Sequence, residues 1–407
     1  MSFRTKATAA FALFSWAIAC GSSAPSGDGQ AAAPTDPSST APGSSGAAGS
    51  SGTSGTPGSP AATGATSGGG AATDAATGPV ATDAGDAADG APSASDPAVV
   101  AGASCAAAVP ANGARALALP AYAGVCPALA AAPALTTLTS SGAQRQFLVY
   151  RPTTVAPGET LPVVFLWHWL GGSADAMAGK LEVQAAVDAR RFIGVLPVAK
   201  GDALFRWPFE ASQPQARVDE EARFFDDMLA CVGAALPANK ECVSSVGVSA
   251  GALWTGQLAT LRSERLASMV VLSGGIGGVV RGWSTTPHRL PSLVLWGGPS
   301  DMYPANVPIM NFETASHNLI SALSADSHDL VECTHNCGHA VPPFDAPAAG
   351  SGGLFFDPVW RFVLDHPYWL PVSKSPYTGK ALPAAYPAWC GQGAGSATPR
   401  ASAAACN

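Results

Sequence analysis

Between Gln144 and His366 the chain alternates short apolar runs with longer segments of helical character, and this alternation constrains the fold more than any other feature. Leu161 to Trp167, Phe192 to Val198, Cys242 to Val248, Leu266 to Leu272 and Ser292 to Trp296 read as strands apolar enough to be buried on both faces. Gln144 to Tyr150 and Asp329 to Cys333 read as further strands. Ala174 to Arg191, Asp219 to Ala235, Ala250 to Leu261, Asn311 to Leu323 and Pro358 to His366 read as helices, the second with acids at its start, where the helix dipole favours them. Repeated strand–helix units predict an α/β protein with a mostly parallel sheet covered by helices on both faces. Residues 370 to 407 show no periodicity and read as a wrapped tail.

The preceding hundred residues are of another kind. Residues 21 to 97 hold seven Asp but no Glu, Lys or Arg, and Val80 is their one large apolar side chain. A stretch of Ala, Gly, Ser, Thr and Pro cannot bury enough apolar surface to offset its chain entropy, so it is expected to be a disordered tether. Its seven Asp match the whole net charge of −7. The acidity therefore belongs to the tether and says little about a ligand, although it gives no support to nucleic-acid binding, which usually draws on a basic patch.

Ahead of the tether, Arg4 and Lys6 precede an apolar run from Thr8 to Ala19, the pattern of an export signal. The run ends Ala17-Ile18-Ala19-Cys20, which resembles the lipobox of bacterial lipoproteins. That resemblance implies cleavage before Cys20 and a lipid anchor on it. The expected organisation is a signal peptide at 1–19, a tether at 20–97 and one domain at 98–407 whose tail starts near 370. The expected location is outside the cell, lipid-anchored at the bacterial cell surface or outer membrane, or extracellular. Eight further cysteines, Cys105, Cys126, Cys231, Cys242, Cys333, Cys337, Cys390 and Cys406, suit four disulfides in an oxidising compartment. Nearest neighbours in sequence would pair as 105–126, 231–242, 333–337 and 390–406. Cys333, His335, Cys337 and His339 alternate, but oxidised cysteines do not ligate and the spacing is not that of a zinc site, so no metal and no cofactor are expected.

The chemical signal is Gly247-Val248-Ser249-Ala250-Gly251. G-x-S-x-G is short enough to arise by chance in a chain this rich in Gly and Ser, but here it falls between an apolar strand and a helix, the setting a nucleophile elbow requires. Ser249 would stand at a strand's C-terminal end, where open α/β sheets place their sites. A serine nucleophile needs a base and the base an orienting acid. Asp301 follows the strand ending at Trp296, and His339 follows the final strand and is preferred over His335 because it sits deeper in its loop, after Gly338. The Ala250 N–H and one from Trp169 or Leu170 would form the oxyanion hole.

Together, His168-Trp169-Leu170-Gly171-Gly172, the GVSAG motif, Asp301 and Gly338-His339 resemble the secreted α/β-hydrolase esterases, namely polyhydroxybutyrate depolymerases, feruloyl esterases and acetylxylan esterases, over residues 143 to 368. The resemblance implies an α/β-hydrolase fold, a Ser249–Asp301–His339 triad, and hydrolysis of a polyester, a feruloylated or acetylated polysaccharide, or a small ester. It also implies a structural role for Asp219. Many relatives carry His-Gly where this chain has His168-Trp169, so the first oxyanion donor is either Trp169 or Leu170. Trp169, Trp207, Phe209 and Trp296 either hold substrate at the mouth or belong to the core. A serine peptidase using the same triad and a non-catalytic surface-binding protein are the alternative functions.

Overall fold

The computed structural model describes residues 93–305, 309–348, 350–401 and 406. The expected signal peptide, Cys20 and nearly all of the expected tether lie outside the described residues. The elements in chain order are α1 (Pro97–Ala101), β1 (Thr136–Ser140), β2 (Ala143–Tyr150), β3 (Leu161–Trp167), α2 (Ala174–Lys180), α3 (Val183–Arg190), β4 (Ile193–Pro197), α4 (Gln215–Ala235), β5 (Ala238–Val248), α5 (Ala250–Arg262), β6 (Ser268–Leu272), β7 (Ser292–Trp296), β8 (Met302–Tyr303), β9 (Met310–Asn311), α6 (Phe312–Ala325), β10 (Leu330–Thr334), α7 (Asp357–Asp365) and β11 (Cys390–Gln392).

Nine strands form one sheet in the order β1-β2-β4-β3-β5-β6-β7-β10-β11, and β8 and β9 form a separate two-stranded ribbon. From β4 to β10 every neighbouring pair is parallel. β2 and β11 flank that block antiparallel, and β1 pairs antiparallel with β2. Parallel strands need crossover helices, and those helices cover both faces. This is why β3, β4, β6, β7 and β10 are buried at every residue. Side chains alternate between faces along a strand, so β3 feeds two cores. Val163, Phe165 and Trp167 pack with Phe225, Met228, Trp254 and Leu319 of α4, α5 and α6. Val164 and Leu166 pack with Met177, Val187, Trp360 and Val363 of α2, α3 and α7.

Several expected boundaries move, each for a local reason. The helix read over Ala174 to Arg191 is two helices, because Glu182 is left-handed at φ 51° and turns the chain so that both pieces face the second core. α4 begins at Gln215, directly after Pro214, whose fixed φ suits a helix start. Asp219 and Glu220 therefore sit beyond the first turn, which holds no acid, and do not meet the dipole as expected. The segment after 370 is more than a tail: Tyr377, Tyr386 and Trp389 are buried in the second core, and β11 extends the sheet. With three residues, β11 is too short to show a period. β1 does carry period-two burial, but its TTLTS sequence hides it among threonines.

The same eight cysteines form four disulfides, and none of the nearest-neighbour pairings holds. The bonds are Cys105–Cys242, Cys126–Cys231, Cys333–Cys390 and Cys337–Cys406. Sheet topology explains the difference. The segment before β1 packs back on α4 and β5, which brings Cys126 to Cys231 and Cys105 to Cys242. β11 returns antiparallel to β10 with Cys390 opposite Cys333. The bridged residues lie 57 to 137 positions apart, and closing loops of that size restricts the unfolded chain by about 4 kcal/mol each in the chain-entropy account.

Candidate active site

Ser249 sits where β5 gives way to α5, and its backbone is forced there. Its φ of 54° and ψ of −117° lie in a region that L residues rarely adopt. The surrounding chain over-determines this turn. A Cβ on Gly247 would come within 2.1 Å of the Gly251 oxygen, and one on Gly251 within 2.0 Å of the Trp167 oxygen. Only glycine lets β5, α5 and the exit of β3 approach so closely. The Ser249 N–H donates to Leu272 O at the end of β6 (2.9 Å), fixing the elbow against the next strand.

The structure brings Ser249, His339 and Asp301 together from the C-terminal ends of three strands. Ser249 Oγ is 2.9 Å from His339 Nε2, and His339 Nδ1 is 2.7 Å from Asp301 Oδ1. Asp301 is fully buried, and its second oxygen accepts the Ser273 hydroxyl (2.8 Å) and the Gly297 N–H (2.7 Å). With its Oδ2 filled, the carboxylate presents Oδ1 to the imidazole, which aims Nε2 at the serine. His339 also stacks face to face on Phe312, ring centroids 4.3 Å apart and 11° from parallel. Phe312 is tied to the acid by its N–H, which donates to Asp301 O (2.8 Å). Ser273 and Phe312 were not singled out from sequence. The available signal for Ser273 is its place one residue past a buried strand, the position Ser249 also holds.

The possible oxyanion donors lie on two touching segments. The Ala250 N–H opens α5, where no acceptor exists within the helix. Gly251 is so close to the exit of β3 that an added Cβ would also meet His168 O at 2.8 Å, so Trp169 and Leu170 follow directly beside the elbow. Trp207 secures this segment by donating its indole N–H to His168 O (2.8 Å). His168 Nδ1 bonds Trp169 O (2.9 Å), while burial lowers the imidazole's pKa and keeps it neutral.

Three of the four mouth aromatics resolve as core. Trp207, Phe209 and Trp296 are buried in the first core and present no face to a ligand. The loop after β4 folds inward under the β3 exit, which sequence position alone did not reveal. Trp169 is half-buried, its indole lying over Gly172. Asp219 is exposed on α4 and accepts from Gln215 Nε2 (2.8 Å). Cys333 and Cys337 are both disulfide-bonded, and among the described residues no group of three His, Cys, Asp or Glu could hold a metal.

The fold has counterparts among solved structures. A pOPH variant in complex with DMSO superposes with a TM-score of 0.53 at 17% identity, over 70% of this chain and 99% of that one. Native sOPH gives 0.52 at 18% identity, over 67% and 97%. The chain has an α/β-hydrolase fold. At these identities the likeness is one of fold alone. An acetyl xylan esterase from Aspergillus awamori is a more distant neighbour, with a TM-score of 0.39 at 15% identity over 51% of this chain and 95% of that one. No protein-family model and no curated protein matches the chain.

Proposed function

We propose that the chain is an exported serine esterase that hydrolyses carboxylic esters through an acyl-enzyme. The observation that carries this reading is the hydrogen-bonded chain from Ser249 Oγ through His339 to buried Asp301. In the first half-reaction Ser249 Oγ attacks the ester carbonyl carbon while His339 Nε2 takes its proton. The carbonyl oxygen gathers negative charge against the Ala250 N–H and the N–H of Trp169 or Leu170. Collapse expels the alcohol, which leaves with the proton from His339. Water then attacks the acyl group with His339 again as base, releasing the acid and restoring the serine. Asp301 holds the imidazole in its productive tautomer and stabilises the imidazolium that forms twice per cycle.

Four disulfides support export, because such bonds persist in oxidising compartments. Lipidation of Cys20 belongs to the same proposal. The substrate class proposed is a polyester, a feruloylated or acetylated polysaccharide, or a small ester.

The test is a fluorophosphonate probe on the folded protein, followed by a substrate panel. Labelling is expected at Ser249, together with turnover of p-nitrophenyl acetate. Methyl ferulate, acetylated xylan, short hydroxybutyrate oligomers and a peptide then sort the substrate. A folded protein that takes no label, or a Ser249→Ala variant that hydrolyses esters as well as the unmodified protein, removes the proposal.

A further inference from the structure

The loop that carries His339 contains a second histidine whose placement the mechanism above does not use. His335 is wholly buried, its ring near Trp389 (centroids 6.0 Å apart). Its Nδ1 accepts the Cys337 N–H at 3.2 Å, and its Nε2 is buried with no partner. A buried polar atom left unpaired costs about 1–3 kcal/mol, so an ordinary packing role would be better served by an apolar side chain. The Cys337 N–H bond states why an imidazole is kept. Nδ1 can accept only when it carries no proton, so the ring is neutral with its proton on Nε2.

That bond closes the turn leading to His339. His335 N–H donates to Trp296 O at the end of β7, Gly338 N–H donates to Gly297 O (2.8 Å), and the Cys337 N–H between them is taken by the His335 side chain. Gly297 is the residue whose own N–H holds Asp301 Oδ2. The turn that presents the acid and the turn that presents the base are thus laid one on the other. They lie so close that a Cβ on Gly297 would meet Gly338 O at 1.9 Å. The charged and titratable groups facing His335 are Asp301, His339 and Arg400. A proton on Nδ1 would set two donors against each other and place a second cation beside the imidazolium that His339 must become. Burial opposes this, pushing the His335 pKa down to about 4.

We propose that His335 is a positioning residue for the proton relay: as a neutral imidazole accepting the Cys337 N–H, it fixes the turn that delivers His339 to Ser249 and Asp301. This role rests on the esterase reading. The experiment compares His335→Asn, His335→Gln and His335→Leu in the full chain. Asn places an acceptor oxygen near the position of Nδ1, Gln places its polar end near Nε2, and Leu offers no acceptor. With a soluble ester, Leu and Gln are expected to lower kcat about 10- to 100-fold, the loss expected of a slightly misplaced base, with KM little changed. Asn is expected to restore kcat to within about 3-fold of the unmodified protein, in keeping with one recovered hydrogen bond. The acid limb of the kcat/KM profile should move to lower pH in Leu and Gln, because an imidazole less well seated on Asp301 is a weaker base, and should stay in place in Asn. A packing role would not track the acceptor in this way. If Leu does not fold, the Asn–Gln contrast decides. Equal activity and equal acid limbs in Asn and Gln overturn the inference, as does an Asn variant that fails to fold. An unmodified protein inert towards every ester defeats the esterase reading and this role with it, whereas an active protein indifferent to all three variants defeats this role alone.

Discussion

The two sides of the serine–histidine hydrogen bond are built in opposite ways. The serine side is local in sequence: five consecutive residues, two of them glycines, make the turn from β5 into α5, which then packs on the exits of β3 and β6. The histidine side is assembled from distant parts of the chain. Its loop rests on the turn after β7, Asn336 Nδ2 donates to Arg400 O, and Cys337 is bonded to Cys406. The acid behind the histidine accepts from Ser273, 28 residues earlier in the chain. A short motif can specify a nucleophile's backbone, whereas a base must be carried to it by the tertiary structure.

Experiments can break this contrast or sharpen it. The largest effect is expected for Asp301→Asn, which should lower kcat about 10⁴-fold by trapping the wrong imidazole tautomer, as steady-state ester hydrolysis would show. Gly251→Ala strikes the local side. Its new methyl would sit against the Trp167 carbonyl, and the fold should lose about 3 kcal/mol in urea unfolding, with activity falling alongside. Full stability in that variant would mean the elbow is not as tightly determined as the backbone contacts indicate. Ser273→Ala should lower kcat about 10-fold with KM unchanged, the effect of one hydrogen bond to a charged group.

The disulfides separate the two sides most directly. Replacing Cys337 and Cys406 with Ser should lower kcat about 3-fold or more at a temperature where the protein stays folded, because that bond fastens the histidine loop. Replacing Cys105 and Cys242 should lower Tm and leave kcat alone, because that bond ties the N-terminal segment to β5 far from the site. Equal effects on kcat would erase the distinction. A separate test concerns pH. His335 and His366 are buried and held neutral, each pushed to about 4 by burial. The unfolded chain takes up these protons near pH 6.5 and the folded chain only near 4. The stability these two rings contribute should therefore fall as pH drops from about 6.5 towards 4, which the difference in urea midpoints between the protein and a variant lacking either histidine would show across that range.

The same contrast explains what could be read from the sequence. β3 and β7 are continuous apolar runs and their limits follow from composition, as do the C-terminal ends of β5 and β6. Ser249, Asp301 and His339 could be named because strand ends and chain order indicate where each group must stand, and the structure brings the three within hydrogen-bond distance. The disulfide pairing could not be read, since each bond joins segments 57 or more residues apart and sequence proximity is no guide to that. Nor could the fate of Trp207, Phe209 and Trp296, because a loop that folds under a strand exit and one that lines a cleft carry the same aromatic residues. Ser273 and His335 meet their partners only through folding, and the one local sign at Ser273, its place just past a buried strand, does not name the partner.

The unusual backbone at Ser249 has one more consequence. Glycine would occupy that φ and ψ without penalty, so a Ser249→Gly protein should melt at a higher temperature than its parent while hydrolysing nothing. Durability and reactivity pull against each other at a single residue, and the living molecule keeps the less durable choice.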